Sequence, residues 1–148
     1  MTLLERLNQE LKAAMLSKDA GKTGTLRLLK SAIGYAQIER KNESLTDAEV
    51  VSIVQKEVKK RRDSIEQFNK GGRPELAEKE MAEIVVLEVF LPKALSTEEL
   101  ELLVRQCIQE TGATDKKQMG VVIKAVQAKA AGRVEGRVVS EMVGRLLK

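Results

Sequence analysis

The sequence predicts an all-α protein, and three observations carry that prediction. Apolar residues recur at helical spacing in almost every segment, while almost none alternates with the period of a strand. Three capping boxes, Thr2 with Glu5, Thr46 with Glu49 and Ser96 with Glu99, open apolar-periodic runs. In each, the hydroxyl and the carboxylate satisfy one another's unpaired backbone amides. Glycine and proline punctuate the ends of such runs, at Gly71-Gly72, Pro74, Pro92, Gly112 and Gly132.

Taken in order, the first helix should run from about Leu3 to Ser17 with Leu4, Leu7, Leu11 and Ala14 facing inward. DAGKTGT reads as a loop. LRLLKSAIGYAQIERK then resumes helical spacing through Leu29, Ile33 and Ala36, and NESL breaks it. The Thr46 box opens the longest helix, which ends near Lys70. GGRP is a turn, because glycine accepts a left-handed cap and Pro74 suits a first helical turn. The helix ELAEKEMAEIVVLEVFL stops before Pro92, and LPKALS marks the domain boundary. The predicted organisation is therefore a helical domain over 1–92, of about four helices including a long hairpin, and a smaller one over 93–148. The latter should hold three short helices, roughly Thr97–Thr111, Asp115–Ala131 and Glu135–Leu147.

With 148 residues, 43% hydrophobic and 32% charged, the chain suits a soluble globular protein. It has no histidine and one cysteine, which removes Cys/His zinc sites, Cys–His nucleophiles and Ser-His-Asp triads. Cys107, within LLVRQCIQE, reads as a small buried hydrophobe. No cofactor and no metal are expected. No apolar run approaches the ~18 residues of a membrane span. MTLLERLNQELK resembles neither a signal nor a transit peptide, so cytoplasmic residence is expected.

The net charge of +4 is unevenly spread. Met1 to Pro92 holds 16 basic and 15 acidic residues, whereas Gly112 to Lys148 holds 8 against 3, net +5. A basic tail invites a polyanionic partner. An aromatic content of 2% argues against base stacking on single strands.

Three stretches are candidates for chemistry. AGKTGT lacks the first glycine of a phosphate-binding loop, since Leu16 stands there, and a helix rather than a strand precedes it. KEVKKRRDSIEQF packs five basic residues into Lys56–Arg62. On a helix, however, they scatter around an apolar stripe of Val51, Val54, Val58, Ile65 and Phe68. Lys56 and Lys59 face away from it, Lys59–Asp63 and Arg62–Glu66 have the spacing of i,i+4 pairs, and Arg61 points into it. A charge there needs a partner. Folding this helix back about GGRP brings Arg61 near Glu80 and Glu83, so an ion pair with one of them should lock the hairpin. In the tail, Lys117 and Lys124 should share a solvent face opposite Met119, Val122, Ile123 and Val126. Arg133, Arg137, Arg145 and Lys148 surround the last helix–helix turn. Glycines at 120, 132, 136 and 144 would let helices, or a phosphate backbone, approach closely. Lys116, Lys117, Lys124, Arg133 and Arg137 are the candidate phosphate contacts, on RNA backbone and shape rather than sequence. A basic but merely solvated bundle is the other reading.

TLRLLKSAI, VQKEVKKRRDSIEQF, GGRPELAEKEMAEIVVLEVFLPKALSTEEL and GRVEGRVVSEM together resemble the YqeY family across essentially the whole chain. The resemblance implies a helical N-terminal domain and a three-helix C-terminal bundle similar to the tail of the GatB subunit of the Asp-tRNA/Glu-tRNA amidotransferase. That tail helps hold tRNA while ammonia generation and amide transfer occur elsewhere. Its pattern falls here on Met119-Gly120, Gly132-Arg133 and Gly136-Arg137-Val138-Val139-Ser140. The chain departs from it at QAKAAGR, which lacks the proline common before the final Gly-Arg. The implied function is an accessory tRNA-binding or amidotransferase-associated protein, not an enzyme on its own, whose partner is tRNA or a tRNA–enzyme complex. The alternatives are a protein-interaction adaptor without RNA, or a part in glutamine-dependent carbon–nitrogen ligation by family association.

Overall fold

A computed structural model describes residues 1–41 and 43–147. Asn42, in the predicted NESL break, and Lys148 lie outside the described residues. Among the described residues there are seven α-helices and one 3₁₀ turn, with no strand. They divide into two compact units, Met1–Leu91 and Pro92–Lys148.

The first unit contains α1 (Leu3–Leu16), α2 (Ala20–Glu39), α3 (Asp47–Lys70) and α4 (Pro74–Glu88). α1 packs on α2, α3 pairs with α4, and α2 and α4 meet across the core. Leu7, Leu26, Leu29, Ile33, Val54, Ile84 and Leu87 are fully buried there. Each such side chain contributes about 1.5–3 kcal/mol by leaving water. The Thr2 and Thr46 capping boxes both form, and Asp47 also accepts the Leu3 amide at 3.1 Å. Pro74 begins α4, and Gly72 supplies the left-handed φ of 71° that the α3–α4 turn requires.

Two features of this unit differ from the sequence reading. DAGKTGT is not a loop: Asp19 caps α2 by accepting the Lys22 amide at 3.0 Å, and AGKTGT forms the first turns of the helix. Thr23, Thr25 and Leu26 are buried, and Thr25 donates back to the Gly21 carbonyl at 3.1 Å. Tertiary packing thus outweighs the ~1 kcal/mol helix penalty of each glycine. In α3 the buried line is Val50, Val54, Val58 and Arg61, with Val51 only half-buried, and Glu57 is buried beside it.

The second unit contains α5 (Thr97–Thr111), a 3₁₀ turn (Lys116–Gln118), α6 (Met119–Ala130) and α7 (Gly136–Leu146). Its core is Leu100, Val104, Cys107, Val122, Val126, Val139, Met142, Val143 and Leu147. Gly112 ends α5 at φ 70°, a conformation that costs an alanine about 1–2 kcal/mol. The expected single helix Asp115–Ala131 is broken at its start. Asp115 accepts the Lys117 amide at 2.9 Å, and Gln118 accepts the Thr114 amide at 2.7 Å, a local box that holds the tighter turn. Lys117 is therefore not on α6, and α-helical spacing no longer gives it a shared face with Lys124.

Candidate nucleic-acid interface

The site is built on the α6–α7 hairpin. A Cβ on Gly136 would sit 3.1 Å from the Gln127 amide nitrogen, and one on Gly144 would lie 3.5 Å from the Met119 methyl. Both contacts obey one antiparallel register. In it Lys124 lies level with Val139, and Arg137 with Val126. Buried Val122, Val126 and Ala130 fix the inner face of α6, and Val139, Met142 and Val143 that of α7. At 100° per residue, Gly120, Lys124 and Gln127 then share the outer side of α6, with Arg137, Glu141 and Gly144 on the outer side of α7. The shallow seam between the helices is floored by glycines and by half-buried Ile123 and Ser140. Nothing lies within 4 Å of a Cβ built on Gly120, so the surface is open to an approaching backbone at that position, whereas Gly136 and Gly144 are covered by the Gln127 and Met119 side chains.

The charges around this seam are not equivalent. Lys116, Lys117 and Lys124 are exposed and form no ion pair among the described residues. Lys124 flanks the seam at its middle. Lys116 and Lys117 lie before α6, roughly 11 Å along the axis, toward the C-terminal end of α7. Arg137 is exposed at the start of α7. Arg133 is also engaged within its own unit: its Nε donates to the Lys93 carbonyl at 2.9 Å, and its guanidinium lies 3.8 Å from Glu99. The Leu95 amide also donates to the Arg133 carbonyl at 2.9 Å. Arg133 thus clasps the segment preceding α5 to the α6–α7 turn, away from Lys116 and Lys117.

Lys129, outside the candidate set, donates to Glu110 at 2.6 Å. That bond, with a second from Gln106, holds the Glu110 carboxyl below its ordinary range and raises the Lys129 ammonium above its own. Glu99 is likewise held low, chiefly by the backbone amide and hydroxyl bonds of its capping box with Ser96. Cys107 is fully buried, and burial pushes its thiol up, away from the reactive thiolate.

In the first unit Arg61 is 7% exposed. Its Nε donates to Glu83 at 3.3 Å, with a second guanidinium nitrogen also 3.3 Å from that carboxylate. Another nitrogen donates to the Glu57 carbonyl at 3.0 Å and lies 3.6 Å from the Glu57 carboxylate. Glu80 forms no ion pair among the described residues and sits half-buried one turn earlier on α4. Glu57 also accepts from Lys60 at 3.0 Å, and its i,i+4 spacing from Arg61 is the sequence signal of this second partner. Lys59 pairs with Asp63 at 3.5 Å and Arg62 with Glu88 at 3.6 Å, so this basic run is largely engaged within its own unit.

Among the described residues no cluster of three or more metal-binding side chains occurs, and no helix is long and apolar enough to cross a membrane. What remains is an all-helical protein whose second unit carries a basic, glycine-seamed hairpin. The profile of the family described as Yqey-like protein matches residues 4–147, and the chain belongs to that family. A relative in Pyrenophora tritici-repentis, named altered inheritance of mitochondria protein 41, mitochondrial, is 32% identical over 97% of this chain and 72% of its own length. An uncharacterised protein of Schizosaccharomyces pombe is 38% identical over 61% of this chain and 72% of its own length. The protein of the same name in Eremothecium gossypii is 39% identical over 66% of this chain and 54% of its own length.

Proposed function

We propose that the C-terminal unit binds tRNA, alone or within a tRNA–enzyme complex, and that the chain is an accessory protein rather than a catalyst. The observation that carries this reading is the set Lys116, Lys117 and Lys124, exposed and without ion pairs among the described residues, with Lys124 one turn from the open Gly120 and the other two just before α6. Lysines on a smooth helical surface, without aromatic platforms, suit phosphate contacts that position a folded RNA without reading bases. Arg137 adds a fourth cation at the start of α7. Arg133 contributes indirectly, by holding the turn that presents Arg137.

Electrophoretic mobility of tRNA at low salt tests the reading. The intact chain retards it, and a Lys116→Gln/Lys117→Gln/Lys124→Gln variant with unchanged helicity does not. Absence of any shift by the intact chain would retire direct binding.

A further inference from the structure

The first unit carries a surface that the RNA reading leaves unused. Gly24, Leu28, Ser31, Tyr35 and Ile38 recur on α2 at alternating four- and three-residue steps, the spacing of a coiled-coil seam. This seam faces away from the core line of Leu26, Leu29 and Ile33 on the same helix. Leu28 is 55% exposed, Tyr35 72% and Ile38 66%, so α2 is apolar on two sides and covered on one. At its N-terminal end the seam runs into a concavity of about 450 Å³ lined by Met15, Lys18, Ala20, Thr23, Gly24 and Arg27. Lys18 and Arg27 form no ion pair among the described residues, and no carboxylate lines that concavity.

We propose that the outer face of α2 docks an amphipathic helix of a partner protein, with an acidic residue of that helix set between Lys18 and Arg27. Apolar side chains at heptad spacing would interdigitate with Leu28, Tyr35 and Ile38. The charge pattern selects this occupant. The edge of α2 that carries Arg27 has Lys30 behind it, so a second copy packed antiparallel would set like charge against like. Glu39 on the opposite edge suits a basic residue at the far end of the partner helix.

Tyr35 makes the test direct, because the chain has one tyrosine and no tryptophan. The probes are two synthetic helical peptides, free of tyrosine and tryptophan, with leucine at heptad spacing. One has glutamates and the other lysines at the end that meets Arg27. The glutamate peptide is expected to change Tyr35 emission saturably, with at least tenfold higher affinity than the lysine peptide. Leu28→Glu should weaken that binding at least tenfold with no loss of helicity, since the side chain is outside the core. Arg27→Glu should reverse the preference between the peptides. Equal response to both peptides, or to neither, overturns the proposal. So does an emission change produced by chain concentration alone with a dimer in sedimentation, which would assign the face to a second copy. A response to phosphatidylglycerol vesicles but not to peptides would assign it to a membrane surface and also overturn it.

Discussion

Replacing Arg61 by methionine tests the interior of the first unit, because it removes the cation and keeps an apolar side chain of similar length. Glu57 retains Lys60 at 3.0 Å, but Glu83 loses the guanidinium that holds it at 3.3 Å. Removing one partner of a buried pair costs about 3–5 kcal/mol. Here the Glu57 and Glu83 side chains keep 12% and 18% exposure, so water relieves part of that cost. The expected loss is about 2–3 kcal/mol, below the fully buried range. At roughly 4–8 °C per kcal/mol for a unit of this size, Tm should fall by about 8–24 °C. Circular dichroism during heating and in urea measures it. Arg61→Met with Glu83→Met should recover most of the loss, since an apolar pair of similar volume leaves no buried charge uncompensated. A folded Arg61→Met protein with an unchanged or raised Tm would refute the claim that this network stabilises the hairpin.

Two glycines separate backbone need from surface access. Gly112→Ala should destabilise the second unit by about 1–2 kcal/mol in urea titrations, through its left-handed φ. Gly120→Ala should instead be neutral or stabilise by less than the roughly 0.5–1 kcal/mol of a helix interior, since it lies in the first turn of α6 with open space around it, yet weaken tRNA binding by roughening the surface there. The Glu110–Lys129 bond should appear in the pH dependence of Tm. Glu110 stabilises above its ordinary value of 4.5, and this contribution is lost as pH falls through its lower folded value. Lys129 contributes fully below its ordinary 10.5, and this is lost as pH rises through its higher folded value. Lys129→Gln should therefore flatten the profile at both ends. Cys107 should react with an aromatic disulfide reagent only as fast as the second unit opens, so its labelling rate should rise with urea.

The fold was legible because helices announce themselves locally. The boxes at Thr2, Thr46 and Ser96 each mark an observed start, and Thr97–Thr111 was placed to the residue by its cap and Gly112. AGKTGT looks like a loop in sequence because two glycines in a short polar run outweigh an Asp19 cap whose helix is secured by burying Thr23 and Thr25 elsewhere in space. The Asp115 turn was missed because its box uses a glutamine carbonyl. The inward aim of Arg61 followed from periodicity, and Glu83 was one of two carboxylates the turn brought within reach. The contacts of Arg133 are hidden in the sequence, because its partners, the Lys93 carbonyl and Glu99, are distant along the chain. Lys124 and Arg137 lie on opposite walls of one seam only because α6 and α7 pair in a particular register, and a single sequence does not state that register.

The RNA reading stands most directly on the salt dependence of tRNA binding. Each phosphate neutralised contributes a slope of roughly −0.7 to −0.9 in log K against log salt. With three lysines engaged, the intact chain should show a slope of about −2 to −3 from those contacts alone. Substituting Lys116, Lys117 or Lys124 singly by glutamine should reduce its magnitude by about 0.7–0.9 each time. A slope unmoved by all three substitutions, or no binding at low salt, would contradict the assignment of the glycine-seamed hairpin as the RNA-binding surface.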